Sequence, residues 1–144
     1  MNYEIAEVDG LTHKDTIDAF NAMVPETFPP LELKHFTDGY SWIAYLESTP
    51  VGFAMLVPFE PFPNIGYCKR CYVSPDHYGH GLQFRMLSAR IVKAKQLGWT
   101  HIVSECLASN TFSANNFRRA GFDLCEPEQK WGAPESIYWV KILA

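Results

Sequence analysis

The stretch from Tyr72 to Leu87, YVSPDHYGHGLQFRML, reads as the end of a strand, a glycine turn and the opening of a helix. Ser74-Pro75-Asp76 is turn chemistry, because proline has no donor for a ladder and an aspartate side chain can bond its own backbone. Gly79 and Gly81 have no Cβ, so the turn can take positive φ and let a partner approach the backbone closely. From Leu82 onward Phe84, Leu87, Ile91 and Ala94 recur at helix spacing. Amides between Tyr78 and Gln83 then stand unpaired at a helix start, with the positive end of the helix dipole behind them. A phosphate or diphosphate suits such a site. Taken alone, the two glycines are equally a strand-to-helix turn that needs glycine for its geometry.

Working outward, a strand over 65–73 leads into this turn, and a helix from 82 to about 97 leaves it, closed by Gly98. Ahead lie a strand at 2–8, a helix opened by Thr12 as N-cap and stopped by Pro25, and a turn-rich link. A short helix at 31–36 and strands at 40–47 and 51–58 follow, joined through Ser48-Thr49-Pro50. Behind come a strand at 99–106, a helix at 112–120 with Asn110 as N-cap, a strand at 122–125, a loop holding Trp131, and a last strand at 136–143. In that strand Ile137, Trp139 and Lys141 share one face, and Tyr138, Val140 and Ile142 the other. The order β, α, α, β, β, β, α, β, α, β, β describes an α+β fold. It is a mixed, mostly antiparallel sheet of about seven strands with helices on both faces.

The 144 residues suit a single domain spanning 1–144, and 47% hydrophobic with 15% aromatic content suffices for one packed core. A net charge of −4 without like-charge blocks argues against nucleic acid as a partner. No apolar run approaches membrane length. The opening MNYEIAEVDG has acids and no basic end, unlike a signal peptide. Four cysteines without such a signal point to reduced thiols and a cytoplasmic location. Cys68 and Cys71 have CxxC spacing, but in a regular strand residues three apart face opposite ways, so neither metal nor disulfide is expected.

A second stretch, NTFSANNFRRAGF from Asn110 to Phe122, adds specificity. Together with YVSPDHYGHGLQFRML, and in this element order along nearly the whole chain, it resembles the GNAT superfamily of N-acetyltransferases. The resemblance implies a GNAT-like acyl-CoA N-acyltransferase fold and acetyl-CoA as co-substrate, with no metal. The acetyl group would pass to a primary amine, on a small molecule or a peptide, by direct attack in a ternary complex. It leaves room for a homodimer. It implies cofactor binding by Cys71, Tyr72 and Val73 on the strand, by Tyr78, Gly79, His80, Gly81, Leu82 and Gln83 in the loop, and by Asn110, Ser113 and Phe117 in the later helix. A backbone donor at Val73 would polarise the thioester carbonyl.

Three positions depart from the family pattern. Tyr78 stands where Arg or Gln is usual, Gln83 where a small residue is, and Phe117 where a Tyr often protonates the leaving thiolate. A non-catalytic binding protein on the same fold is therefore the competing reading. Glu105, five residues before Asn110, is the expected general base, acting through a water. Tyr67 is the reserve catalytic residue, with Tyr72 behind it. His77, His80, Arg118 and Arg119 are candidates for phosphate contact. For the acceptor groove, Phe28, Phe36, Phe62 and Trp131 offer apolar walls, and Glu26, Glu32 and Glu128 offer charge for a cationic amine.

Overall fold

The computed structural model describes residues 2–24 and 30–143. Seven strands form one sheet: β1 (Tyr3–Val8), β2 (Tyr40–Leu46), β3 (Thr49–Pro58), β4 (Ile65–Val73), β5 (His101–Leu107), β6 (Asp123–Cys125) and β7 (Ser136–Ile142). Their spatial order is β1-β2-β3-β4-β5-β7-β6. Every pairing is antiparallel except β4 with β5. The helices are α1 (Lys14–Asn21), α2 (Leu33–Thr37), α3 (Leu82–Gln96) and α4 (Thr111–Arg119). Among the described residues no helix is long and apolar enough to cross a membrane.

Both faces of the sheet are covered. On one, α3 and α4 lay Leu87, Ala94, Ala114 and Phe117 against Trp42, Leu56, Cys68, Ile102, Cys106 and Trp139. On the other, Ile17 of α1 and Phe36 of α2 pack on Phe53 and Met55 of β3. The central strand β3 is accordingly buried from Val51 to Val57, an unbroken apolar run rather than an alternating one. The face expected for Trp42, Ala44 and Leu46 is the one that meets α3. In β7, Trp139 and Tyr138 point to opposite faces and both are buried, as their alternation implied.

Several boundaries move for identifiable reasons. Thr12 is not an N-cap. Asp9 accepts from Leu11 N–H (3.1 Å) and from Thr12 Oγ1 (3.0 Å), and this turn delays the helix until Lys14, with His13 at the cap. Helix α1 ends at Asn21, and Pro25, expected to stop it, lies outside the described residues, as do Glu26 and Phe28. The hairpin turn is shorter than Ser48-Thr49-Pro50, because Glu47 takes φ 57° and β3 starts at Thr49. The buried stripe of α3 is Leu82, Met86, Leu87, Arg90 and Ala94, rotated from the one expected through Phe84 and Ile91. Arg90 hides the true stripe from a hydrophobicity pattern. It is buried because its guanidinium donates to the carbonyls of Met86 and Met55, each at 3.3 Å.

Two irregularities in β4 shape the site. Opposite Met55 and Leu56 the register shifts: Arg70 pairs with Met55 and Cys68 with Leu56, so Lys69 is an extra residue. This bulge overturns the expectation for Cys68 and Cys71. The extra residue puts both thiols on the α3 face, where Cys68 joins the α3–α4 core and Cys71 packs near Val73 and Leu82. Both remain unpaired, as do Cys106 and Cys125. The second irregularity is the short partnership of β4 with β5. Only Ile65, Gly66 and Tyr67 pair, with His101, Ile102 and Val103. At Gly66 an added Cβ would stand 2.2 Å from the Trp99 ring, so glycine there lets the indole close the paired end.

Candidate active site

Beyond Tyr67 and Val103 the two parallel strands run without a mutual ladder. Ser104 caps the split, its Oγ donating to Cys68 O at 2.8 Å. The amides along this edge of β4 then have no strand to meet. Ser74 N–H donates to Val51 O (2.8 Å), toward β3. By the alternation of an antiparallel ladder, the amides of Cys71 and Val73 face the other way, into the split. The bulge and the split together open a V between β4 and β5 with a row of backbone donors and acceptors along one arm.

The V leads to the glycine turn. Residues Pro75–His77 form one 3-10 turn, and Gly79 and Gly81 take φ of 86° and 69°, conformations that disfavour a Cβ. A Cβ built on either glycine would meet no atom within 4 Å, so the bend is open rather than plugged. The first α3 bond reaching back to the turn runs from Arg85 N–H to Gly81 O, at 2.9 Å. Among the described residues, no backbone acceptor meets the amides from Gly79 to Phe84. The run of free amides is shifted by one residue from the one expected: Tyr78 N–H donates to Pro75 O (3.2 Å), and the six donors from Gly79 to Phe84 have the α3 dipole behind them.

A cavity of about 400 Å³ joins the turn to the V. Its walls include Tyr72, Val73, Tyr78, Gly81, Gln83 and Ser113, and Cys71, Gly79, Leu82 and Asn110 also border it. His77 lines it too, with its Nδ1 2.9 Å from Tyr3 Oη. The ring of His80 instead packs on Tyr3, centroids 4.8 Å apart. Gln83 does not lie across the turn. Its Nε2 donates to Ser113 Oγ at 3.0 Å, tying α3 to α4 across the cleft. Asn110 caps α4, accepting from Ser113 N–H at 3.1 Å.

A narrower space of about 100 Å³ continues inward between the arms of the V, bordered by Cys68, Lys69, Ser104, Glu105, Asn116 and Phe117. Phe117 stacks on Trp139 (5.6 Å) and meets Phe122 edge-on (5.1 Å), a packing role. Asn116 is the residue the sequence reading missed. Its Nδ2 is buried with no partner, a donor that borders the cleft and waits for an acceptor. The sign of it in the sequence is its place six residues after the Asn110 cap, on the face of α4 that holds Ser113 and Phe117. Arg118 and Arg119 lie over the rings of Trp139 (5.2 Å) and Phe84 (4.0 Å), at the negative end of α4.

Glu105, on β5, borders the narrower space. Its Oε1 accepts from Tyr67 Oη at 2.9 Å, and its Oε2 is buried without a partner. Gly132, in the loop before β7, closes over it. A Cβ there would lie 1.5 Å from Oε2, so the carboxylate occupies the volume that any other residue would fill. Gly132 N–H donates to the buried Tyr138 Oη (3.0 Å), which fixes the loop. Trp131, Phe59 and Tyr138 complete an aromatic shell beside Tyr67. Burial, and then the Glu105 charge, push the Tyr67 phenol well above its ordinary range, so it remains a hydrogen-bond donor to the carboxylate. Burial likewise pushes the Cys71 thiol up to about 11 and raises Cys68 and Cys106.

Of the acceptor residues expected, Phe36 is core, Phe62 stacks on Phe59 at the surface, and Trp131 flanks Tyr67. Glu32 forms a capping box with His35 at the start of α2, and Glu128 is exposed. Among the described residues no three His, Cys, Asp or Glu side chains gather as a metal site.

Three solved structures share the whole architecture. An N-acetyltransferase from Staphylococcus aureus Mu50 superposes with a TM-score of 0.77 at 18% identity, over 100% of both chains. The structure of yncA from Salmonella typhimurium with its cofactor acetyl-CoA gives 0.78 at 16%, over 100% of this chain and 95% of that one. A ribosomal-protein-alanine N-acetyltransferase from Brucella melitensis gives 0.75 at 20%, over 97% and 99%. At these identities the likeness establishes the fold. No curated protein sequence matches the chain. The sequence model of the acetyltransferase (GNAT) family, however, matches residues 11–122, from the turn before α1 through the Gly-Phe that closes α4. With most of its length inside that match, the chain belongs to the GNAT family of acetyltransferases.

Proposed function

We propose that this acetyltransferase moves an acetyl group from acetyl-CoA to a primary amine, on a small molecule or a peptide, by direct attack in a ternary complex. The observation that carries the reading is the open V between β4 and β5, running from a cradle of free amides to a buried carboxylate. The residues present fit the coenzyme. The amides from Gly79 to Phe84 would take the diphosphate, and the arm of β4 at Cys71 and Val73 would pair with the pantetheine as an added strand. Asn116 Nδ2 is a donor in reach of the same channel, and Ser113, Asn110 and Phe117 form its other wall.

The coenzyme supplies an acetyl thioester. Val73 N–H is the donor placed to polarise its carbonyl. Glu105 takes the proton from the amine, directly or through one water, as nitrogen bonds to the acyl carbon. The carbon–sulfur bond then breaks with its electron pair going to sulfur, and the thiolate takes up a proton from solvent or the one that Glu105 removed from the amine. Tyr67 is a positioning residue, since its hydroxyl hydrogen is spent on Glu105 Oε1. Direct attack is favoured over a cysteine relay because the buried thiols bordering the cleft have raised pKa values and stay protonated near neutrality. The unit acts as one domain over 1–144, and four unpaired thiols suit a reducing cytoplasm.

The test is thiol release. With acetyl-CoA and a broad panel of primary amines, at least one acceptor is expected to release thiol well above the acceptor-free rate, with the N-acetyl product seen by mass spectrometry. Release that depends on no amine, or acetyl retained on a cysteine, contradicts direct transfer.

A further inference from the structure

Lys69, the extra residue of the β4 bulge, has no part in the scheme above. A regular strand would send residues 69 and 70 to opposite faces. The bulge turns both toward the α1–α2 side. Arg70 pairs with Met55, which packs against Phe36 of α2, and Lys69 lines a separate cavity of about 200 Å³ behind α2. The inner wall of that cavity is Tyr67, His35 and Lys69, and Lys34, Asp38 and Glu60 stand at its exposed rim.

The Lys69 ammonium is half-buried and stands over the Tyr67 ring, 5.5 Å from the centroid. Among the described residues no carboxylate lies within ion-pair distance of it. Burial and then the Arg70 charge lower its pKa, and burial and then the Lys69 charge lower that of His35. At the exposed rim Lys34 faces Asp38 and Glu60, whereas Lys69 lies on the inner wall, its charge offset only at a distance by Glu32 and Glu105. A half-buried cation whose contact is an aromatic face still has ammonium hydrogens to give to an anion. The position is also continuous with the chemistry. Lys69 borders the inner cleft as well, and Tyr67, on the cavity wall, hydrogen-bonds Glu105. A small molecule that reaches from this cavity into the inner cleft meets the Lys69 ammonium and the proposed base, which both border that cleft.

We infer that the acceptor is an amine bearing a carboxylate a few bonds from its nitrogen, an amino-acid-like molecule, and that Lys69 receives that carboxylate. The assignment rests on the acetyl-transfer reading of Glu105 and the cleft. The unpaired ammonium calls for an anion and the base calls for an amine. Their separation, with one tyrosine side chain between them, sets the spacing.

The test compares matched acceptors under saturating acetyl-CoA in the full chain: free amino acids, their neutral amides, and the corresponding aminophosphonates. Free carboxylates are expected to exceed their amides in kcat/KM by about 10- to 100-fold, the worth of a hydrogen bond to a charged group. Lys69→Met should abolish that preference by raising KM for the carboxylate far more than for the amide, and Lys69→Arg should restore most of it. Equal use of amides, or a preference that survives in Lys69→Met, overturns the inference while leaving the acetyltransferase reading intact. Preference for the phosphonates overturns the carboxylate assignment. Calorimetry of N-acetyl amino acids with coenzyme A, in wild type and Lys69→Met, provides a readout independent of turnover. Binding that ignores Lys69 also overturns it. Failure to bind acetyl-CoA at all would sink the underlying reading instead.

Discussion

Glu105→Gln is expected to lower kcat by about 10²- to 10⁴-fold, the usual worth of a positioned general base, while acetyl-CoA affinity stays within about twofold. The amide keeps the shape of the carboxylate and can still accept from Tyr67 Oη, so the aromatic shell need not move. What it loses is the capacity to take a proton. Oε2 is the atom concerned, buried with no partner of its own and facing the gap that Gly132 leaves. Steady-state kinetics at saturating amine, with coenzyme affinity measured separately, separates the two effects. An unchanged kcat would remove Glu105 from the chemistry, and a parallel loss of coenzyme binding would make its role structural.

Gly132→Ala should be nearly as damaging by a different route. The new methyl would stand 1.5 Å from Oε2, 2.4 Å from Cδ and 2.8 Å from Oε1, so the carboxylate must leave its present position. A displaced carboxylate also gives up its bond from Tyr67. Misplacement of a catalytic group by about 1 Å costs on the order of 10²-fold in rate. The group that must yield is the end of a flexible side chain rather than backbone, so the melting temperature should fall only slightly. Activity lost with folding kept, by kinetics and thermal denaturation of the same sample, is the expected pair of results. Full activity in Gly132→Ala would mean that the carboxylate does not need this position.

The contrast between Glu105 and Gly132 marks how far the sequence could be read. The position of Glu105, near the end of a strand and five residues before the Asn110 cap, was legible, and the family resemblance rather than the spacing made it the candidate base. Gly132 was not legible, because its importance lies in a contact 27 positions away in sequence, within a loop without periodicity. The element order, the glycine turn and the Asn110 cap all rest on local chemistry, namely donors, caps and alternation, and all stand in the fold. The bulge at Lys69 is different. Nothing in GYCKRCYV signals an extra residue, since the register belongs to the pairing of β3 with β4 and not to either strand. That one insertion turned Cys68 and Cys71 to a common face and placed two cations on the α1–α2 side. The acids expected to line the acceptor groove fared likewise. Glu32 is taken up in a helix cap, while Asp38 and Glu60, not among those expected, line the cavity with Lys34, His35 and Lys69.

On the reading proposed above, the free amides of the glycine turn grip a diphosphate. Gly81 offers a direct probe, because a side chain there would enter open space and meet no atom within 4 Å. Aspartate tolerates the left-handed conformation at a cost of about 1–2 kcal/mol and would set a negative charge among those amides. Calorimetric titration of acetyl-CoA into wild type and into Gly81→Asp is therefore the decisive measurement. Saturable binding to wild type is expected, with a Kd of about 1 μM to 1 mM, and affinity weaker by at least about tenfold in a folded Gly81→Asp. No heat with the wild-type protein, or equal affinity in the two, would contradict that reading.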